Sequence, residues 1–255
     1  MTGLEIAAVC LAGIAAGAIN AVVGSGTLIT FPTLLAFGVP PVTANVSNTI
    51  GLVPGSVTGA IGYRRELAGQ RRRLLVLGSG SVVGGAGGAL LLLGLPESAF
   101  QTVVPVLIGL GCLLVLLQPR ISAVARSGEG ADRSPRERVP AWVWVLVMLT
   151  GVYGGYFGAA QGVLLVAVLG IGIHDDLQRL NGTKNVLAGL VNGVAAIVFI
   201  AVAHVDWLVV ALIAGGSIVG GMVGATLGRR LPALVLRLFV VVVGLAALLA
   251  FLVTS

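Results

Sequence analysis

Two short polar stretches rich in glycine interrupt long apolar runs, and they are the first places where the sequence could bind a ligand. One contains Asn20, Gly24, Ser25, Gly26 and Thr27, and its counterpart later in the chain contains Gln161 and Gly162. Glycine allows a helix to break, and the helix that restarts directs unpaired N–H groups at an anion. Tight helix packing is the alternative for the glycines alone. Because hydroxyl and amide side chains stand beside them, we favour a ligand-facing role for both stretches.

Two clusters of amide and hydroxyl side chains stand at the start of later apolar runs. One consists of Asn45, Ser47 and Asn48, and the other of Asn181, Thr183, Lys184 and Asn185. Burying such side chains is costly unless they are hydrogen-bonded. One explanation is helix N-capping, by Thr43 or Asn45 and by Asn181 or Thr183. A cap needs one residue whereas each cluster supplies three or four, so we favour a role in lining a substrate path.

Lys184 is the only lysine in the chain. Two interpretations stay open: it pairs with an anionic substrate, or it snorkels to the cytoplasmic interface. No acidic residue falls in the middle of an apolar run, so a proton relay through buried carboxylates has no support. His174 and His204 are distant from each other in the sequence and predict no metal site. In the absence of hydrolase and nucleotide-binding motifs, we expect no catalytic residue, no cofactor and no enzyme activity.

The composition places these residues in a membrane. Of the 255 residues, 57% are hydrophobic and 9% are charged, against roughly 45–50% and about 25% in soluble domains. A spanning helix needs about 20 apolar residues, so the pattern predicts an all-α polytopic membrane protein. Its ten apolar segments lie at about 4–23, 25–38, 43–63, 74–95, 101–117, 141–159, 161–173, 182–203, 207–228 and 232–252.

A polar stretch, residues 118–140, divides the chain into two transmembrane halves, 1–117 and 141–255. The stretch is rich in Arg, Ser, Gly and Pro and cannot bury apolar surface, so we predict a cytoplasmic linker.

The two halves resemble each other at a constant offset of 136 residues, and 9 of the 16 residues in 81–96 recur in 217–232. This match indicates an internal duplication. Ser56 corresponds to Asn192 at the same offset, and we predict that both face the axis that relates the halves. The recurrent glycines are predicted to allow close helix packing, and they are Gly84, Gly85, Gly88, Gly220, Gly221 and Gly224.

The positions of the cations predict the orientation of the chain. Lys and Arg are absent from both termini and from the connections at 39–42, 96–100 and 204–206. The positive-inside rule then places the Arg-rich loops 64–73 and 118–140 in the cytoplasm of a bacterial-type inner membrane, with both termini outside. The counterpart of loop 64–73 is 200–209, which contains no cation. The halves are therefore predicted to be oppositely oriented, as in inverted-repeat transporters.

The second segment of each half, 25–38 and 161–173, is short. Fourteen residues of helix extend about 21 Å, against a hydrocarbon core of about 30 Å. Each short segment either crosses with help from its neighbours or forms half of a hairpin, which gives 8–10 spans. Both options keep the number of crossings in each half odd.

At these residues the chain resembles the TauE/SafE family of membrane permeases, the sulfite exporter family. The stretches that carry the resemblance are 13–32, with Gly24-Ser25-Gly26-Thr27; 40–49, with Asn45-x-Ser47-Asn48; 154–162, with Gln161-Gly162; and 180–185, with Asn181-x-x-Lys184-Asn185. The resemblance implies a permease for sulfur-containing anions such as sulfite or organosulfonates, often moving them outward. Carried over by motif position, it implies that the ligand-facing residues lie around Ser25, Asn45, Asn48, Gln161, Asn181 and Lys184.

Together these features predict a secondary transporter of a small anion that works by alternating access, with no metal or cofactor. An anion channel and a non-transporting membrane scaffold subunit are the alternatives. The expected partners are the small anionic substrate and the lipid bilayer, without nucleic acid. A homodimer is one assembly compatible with the sequence.

Overall fold

The computed structural model describes residues 1–127, 139–173, 175–226 and 233–254. Within these ranges the regular structure is helical, and its ten helices match the ten predicted segments. In chain order they are α1 (Gly3–Val22), α2 (Thr27–Ala36), α3 (Pro41–Gly62), α4 (Arg71–Gly94), α5 (Glu97–Ser127), α6 (Ala141–Tyr156), α7 (Gln161–Gly172), α8 (Leu177–Val202), α9 (Trp207–Thr226) and α10 (Ala233–Thr254). By length and composition, α1, α4, α5, α8 and α9 can each cross a membrane. The chain is an all-α polytopic membrane protein.

Two helices extend beyond the segments predicted for them. α8 begins at Leu177 because the Asp176 side chain accepts hydrogen bonds from the N–H groups of Gln178 and Arg179. α5 continues to Ser127 although it contains Pro119. The first residues of the predicted linker 118–140 are therefore helical, and residues 128–138 lie outside the described part of the chain.

The polar clusters do not cap their helices. α3 starts directly after Pro40 with no side chain bonded to its first N–H groups, and Asp176 caps α8. Asn45 and Asn181 instead lie in the second turn of their helices, where they can contact other helices. The capping interpretation is wrong for all four residues that could have served, which are Thr43, Asn45, Asn181 and Thr183.

The first helix of each half packs in parallel against the fourth helix of the other half. In each pair, a contact later in one helix is also later in the other. The contacts are Gly13–Ile213 and Gly17–Ser217 between α1 and α9, and Gly84–Met148 and Gly88–Val152 between α4 and α6. A Cβ atom at any of the six recurrent glycines would come closer than 3.0 Å to a neighbouring helix. The prediction that these glycines allow close packing is confirmed.

The third helices, α3 and α8, pack against each other in opposite directions. Ser56 of α3 contacts Asn192 of α8. Tyr63, directly after the end of α3, contacts Gly182, which lies earlier in α8. α3 is parallel to α9 and α8 is parallel to α4, as the contacts Gly51–Ile213, Gly55–Ser217, Gly78–Leu190 and Gly85–Val194 show. Helices α1, α3 and α9 thus run one way, and α4, α6 and α8 run the other way.

The short helices α2 and α7 lie where the chain runs back between two long helices that point the same way. α1 and α3 are parallel neighbours of α9, so the chain must come back between them. α2, with 10 residues, spans about 15 Å of that return, and its flanking turns cover the rest. α7, with 12 residues, does the same between α6 and α8. Both alternatives for the two short segments, a crossing and half of a hairpin, give this reversal of direction, so the choice between them stays a prediction.

A polar clamp, formed by Gln70, Arg73, Asp175, Arg179 and Thr183, ties the start of α4 to the start of α8. Asp175 pairs with Arg73 and with Arg179, whose Nε lies 2.9 Å from the carboxylate. Gln70 accepts hydrogen bonds from Arg73 at 2.8 Å and from Thr183 at 3.2 Å. The clamp holds the connection before α8 against the Arg-rich connection before α4.

Burial would by itself raise the pKa of Asp175, but bonds from Arg73 and the Asp176 N–H, and the charges of Arg73 and Arg179, hold that pKa below its ordinary value. A carboxyl group with a lowered folded-state pKa stabilises the fold above its unfolded-state pKa, and this stabilisation is lost as the pH falls through the folded-state value.

Replacing Gly88 by alanine is expected to destabilise the α4–α6 contact, because the new Cβ would collide with the Val152 carbonyl and lie 2.8 Å from the Tyr156 nitrogen. We expect a loss of about 1–3 kcal/mol, measured as a lower midpoint of thermal unfolding in detergent. Gly87→Ala is the control, since its Cβ meets only Val152 Cγ2 at 4.0 Å. Equal midpoints for the two variants would contradict this account of the packing.

Replacing Asp175 by asparagine is expected to lower the thermal midpoint near pH 7, by an amount that corresponds to about 1 kcal/mol. The difference from wild type should shrink as the pH falls below about 4, where the wild-type carboxyl also becomes protonated. Glu97→Gln, at an exposed position in the first turn of α5, should lower the midpoint by less, because its charge meets only a helix end that solvent screens. A difference that is independent of pH would show that the charge of Asp175 does not stabilise the clamp.

Candidate functional site

Both polar stretches predicted from the sequence are breaks between helices. Gly24, with φ +86°, lies between α1 and α2, while Gly158 (φ +78°) and Ala160 (φ +57°) lie between α6 and α7. Positive φ is easily adopted by glycine and costs a residue such as alanine roughly 1–2 kcal/mol. Within the two breaks, the sequence therefore carries glycine at two of the three positions that take a left-handed conformation.

The two breaks contact each other. The Gly162 N–H donates to the Gly24 carbonyl at 3.0 Å, and a Cβ atom at Gly162 would lie 2.5 Å from Gly24 Cα. The first break is held in shape by Asn20, whose side-chain oxygen accepts from the Gly26 N–H at 2.7 Å. Only glycine at both contact positions lets the backbones of the two halves meet.

The break after α1 leaves carbonyl groups without their usual helical donors. The N–H groups of Val23 and Gly24 both donate to Ile19, so the Asn20 and Ala21 carbonyls are available to other donors. Such C-terminal carbonyls also carry the partial negative charge of the helix dipole.

Lys184 binds these carbonyls from the other half of the chain. Its ammonium donates to the Asn20 and Ala21 oxygens, each at 3.2 Å, and the Asn185 amide donates to Ala21 at 3.2 Å. Lys184 is only 1% exposed. It points into the protein, and so the snorkelling interpretation is wrong.

A small cavity of about 20 Å³ lies at this junction, with room for about one water molecule. Its lining comes from α1, α2, α3, α7, α8 and the two breaks. The lining residues are Asn20, Ala21, Gly24, Thr27, Gly55, Ser56, Gly158, Gln161, Gly162, Lys184, Asn185, Ala188 and Asn192.

The polar groups of the cavity favour a negatively charged ligand. Lys184 supplies the one charge among the lining residues, and the other polar side chains are amides or hydroxyls. Gln161 is 3% exposed, and its amide nitrogen has no hydrogen-bond partner among the described residues. A buried donor without an acceptor costs about 1–3 kcal/mol, so an oxyanion in the cavity would remove that penalty.

Two residues that the sequence placed on the symmetry axis, Ser56 and Asn192, also line the cavity. The Asn192 amide donates to the Ser56 hydroxyl at 3.4 Å, so residues at corresponding positions of the two halves touch. Neither was among the predicted ligand-facing residues. Their correspondence at the offset of 136 was the signal that could have identified them.

Other predicted residues lie outside the lining, and two of them bind the ends of other helices. Asn45 donates to the Tyr156 carbonyl at the end of α6 at 2.9 Å, and Ser47 accepts from the Asp206 N–H at 3.0 Å. Asn48 forms hydrogen bonds with Thr27 and Thr30 of α2, and Thr183 forms one with Gln70 of the polar clamp. The Gly26 N–H donates to Asn20. Ser25 is buried, with its hydroxyl unpartnered among the described residues, and Asn181 is half-buried.

The structure brings together no group of three or more His, Cys, Asp and Glu side chains that could hold a metal ion, within the residues it describes. His174 lies outside those residues. The polar groups at the site are the amine of Lys184, several amide and hydroxyl side chains, and the backbone carbonyls at the end of α1.

Comparison with known proteins identifies relatives of this chain. Similar proteins include a probable membrane transporter protein of Haemophilus influenzae, 25% identical over 88% of this chain and 85% of its own. YfcA of Escherichia coli K12 and YdhB of Bacillus subtilis carry the same description; they are 29% and 27% identical, over 85% and 92% of this chain and 76% and 93% of their own. No solved structure matches the chain.

The family model described as sulfite exporter TauE/SafE matches residues 9–251. This range includes both breaks, both polar clusters and the cavity between them. The chain therefore belongs to the TauE/SafE family of membrane transporters.

Proposed function

We propose that the chain is a secondary transporter that exports small sulfur-containing anions, such as sulfite or organosulfonates, by alternating access. The observation that carries the proposal is the cavity between the two halves, which is lined by Lys184 and by Gln161, whose amide nitrogen has no hydrogen-bond partner among the described residues. Charged and N–H donors can replace the hydration shell of an oxyanion. The family description supports sulfur-containing anions as the substrate class.

The arrangement of the helices supports two halves in inverted orientation. Every helix of the first half whose direction the contacts define runs opposite to its counterpart, since α1 opposes α6, α3 opposes α8 and α4 opposes α9. In inverted-repeat transporters the substrate site lies between the repeats near the middle of the membrane. The contact between Ser56 and Asn192, which occupy corresponding positions of the two halves, supports a cavity on the axis between the repeats.

The orientation we propose has the Arg-rich loops 64–73 and 118–140 in the cytoplasm of an inner membrane and both termini outside. In support, the polar clamp joins the start of α4 to the connection before α8 through Arg73 and Asp175. These two connections therefore lie at the same end of the helix bundle, as the charge pattern requires.

Alternating access requires the cavity to enlarge toward one side at a time. At about 20 Å³ it holds one water rather than a sulfonate, so the structure corresponds to a closed state. Entry of the anion then requires α3 and α8 to separate on one side of the Ser56–Asn192 contact.

Replacing Gln161 by alanine is expected to weaken substrate affinity about 10–100-fold, the effect of losing one hydrogen bond to a charged ligand. The measurement is uptake of labelled sulfite and labelled methanesulfonate into liposomes that contain the purified protein. Wild type should show saturable uptake and counterflow, which a carrier gives and a pore does not.

Gln101→Ala is the matched control, because Gln101 is exposed on α5 and should leave uptake unchanged. Equal affinity of the Gln161 variant and wild type would remove the cavity from the mechanism. Single-channel currents without counterflow would indicate an anion channel, and no flux of either anion would favour a scaffold subunit.

A further inference from the structure

Among the residues that the structure describes, none gives the Lys184 ammonium an acidic partner. Its bonded partners are the carbonyl oxygens of Asn20 and Ala21, and the described residues that line the cavity with it are uncharged. A buried ammonium without a counterion is costly. A neutral amine, by contrast, keeps two N–H donors, which is the number that the two carbonyls accept.

The helices packed against α8 bring no carboxylate to Lys184. These helices are α1, α3, α4, α5, α6 and α7, and neither α3 nor α7 contains a titratable side chain. Glu5 of α1 lies 15 residues before Asn20, a distance of about 22 Å along the helix. Glu97 is exposed at the first position of α5.

The remaining titratable groups of these elements are arginines, tyrosines and cysteines. Arg73 and Arg179 bind Asp175, and the Tyr153 hydroxyl donates to the Ala159 carbonyl. The other groups, on or beside the packed helices, are Cys10, Tyr63, Arg71, Arg72, Cys112, Arg120, Arg126 and Tyr156. None of them is a carboxylate that could serve as the counterion.

An anion in the cavity would supply the counterion that the protein lacks. The charged form of Lys184 is then favoured when the anion is bound, and the neutral form is favoured when the cavity is empty. Because coupling between two ligands is reciprocal, a proton on Lys184 must strengthen anion binding by the factor by which the anion strengthens proton binding.

We infer that Lys184 takes up one proton with each anion and releases it with that anion, so that the protein moves anion and proton in the same direction. This inference rests on the proposed function. The proton comes from water on the side where the anion enters and leaves to water on the other side, while the amine stays in the protein. With a monovalent anion, one transport event moves no net charge.

The test uses the fact that Lys184 is the only lysine in the chain. Protein grown on ¹³C-labelled lysine gives one Cε–H signal, whose chemical shift reports whether the amine is protonated. Methanesulfonate is the probe, since its sulfonate group stays ionised and cannot carry the proton itself. Saturating methanesulfonate is expected to move the midpoint of the Lys184 titration upward by about one pH unit or more.

A midpoint unmoved by methanesulfonate, in protein that binds and transports it, would overturn proton coupling and leave the proposed function intact. The absence of both binding and flux would overturn the two proposals together. The two failures are therefore distinguishable.

Lys184→Arg provides a transport test, since the guanidinium keeps its charge at every accessible pH. In liposomes that contain a pH-sensitive dye, wild-type uptake of methanesulfonate should acidify the interior. The buffer contains no membrane-permeant amine, so that the dye reports only protons moved by the protein. The Arg variant should lose nearly all of the proton movement per anion, because its guanidinium does not release a proton on either side of the membrane. Unchanged acidification per anion in this variant would overturn the inference, and the labelled-lysine titration of wild type decides the question if the variant does not fold.

Discussion

The Lys184 ammonium on the last carbonyls of α1 is the interaction on which the rest of the site depends. It joins the second half of the chain to the first, and protonation of Lys184 places a positive charge at the negative end of a helix dipole. The break at Gly24 makes this possible, because a continuous helix would use the same carbonyls for its own N–H groups. The glycine contact between the breaks then fixes where α2 and α7 begin relative to the charge.

In each half, a side chain donates to a carbonyl group at the end of the other half's first helix, but the donors differ. At the corresponding end of α6, the Tyr156 carbonyl accepts from the neutral amide of Asn45, whereas at the end of α1 the donors are Lys184 and Asn185. The residue that corresponds to Lys184 in the first half is Asn48, which bonds to α2. A nearly symmetric scaffold thus holds one asymmetric charge, which suits a site for a single anion.

Much of this arrangement could be predicted from the sequence because it is local. The ten helices follow from apolar runs, and the breaks follow from glycine beside polar residues. The helix starts were harder to predict. Asp176 extends α8 beyond its apolar segment, and α3 starts directly after Pro40, before Thr43 and Asn45, the two residues considered as its cap. Composition says little about which of several polar residues begins a helix.

The lining of the cavity was only partly predictable, because it depends on how distant helices align. Lys184 and Gln161 were identified from their chemical types, whereas Gly55 and Ala188 line the cavity only because α3 crosses α8 at that level. Asn45 and Ser47 have the same polar character as the lining residues, yet their helix faces direct them to other contacts. Residue type indicated the candidates, and the register between α3 and α8 decided among them.

The most direct test of the central claim asks whether the cavity at Gln161 is an anion site that opens to each side in turn. A cysteine is placed at Gln161 after Cys10 and Cys112 are replaced by alanine, and it is labelled with a membrane-impermeant anionic thiosulfonate from each face of sealed vesicles. The account predicts labelling from either face, with methanesulfonate slowing the reaction from both. Labelling from one face alone, or at a rate that methanesulfonate leaves unchanged, would contradict it.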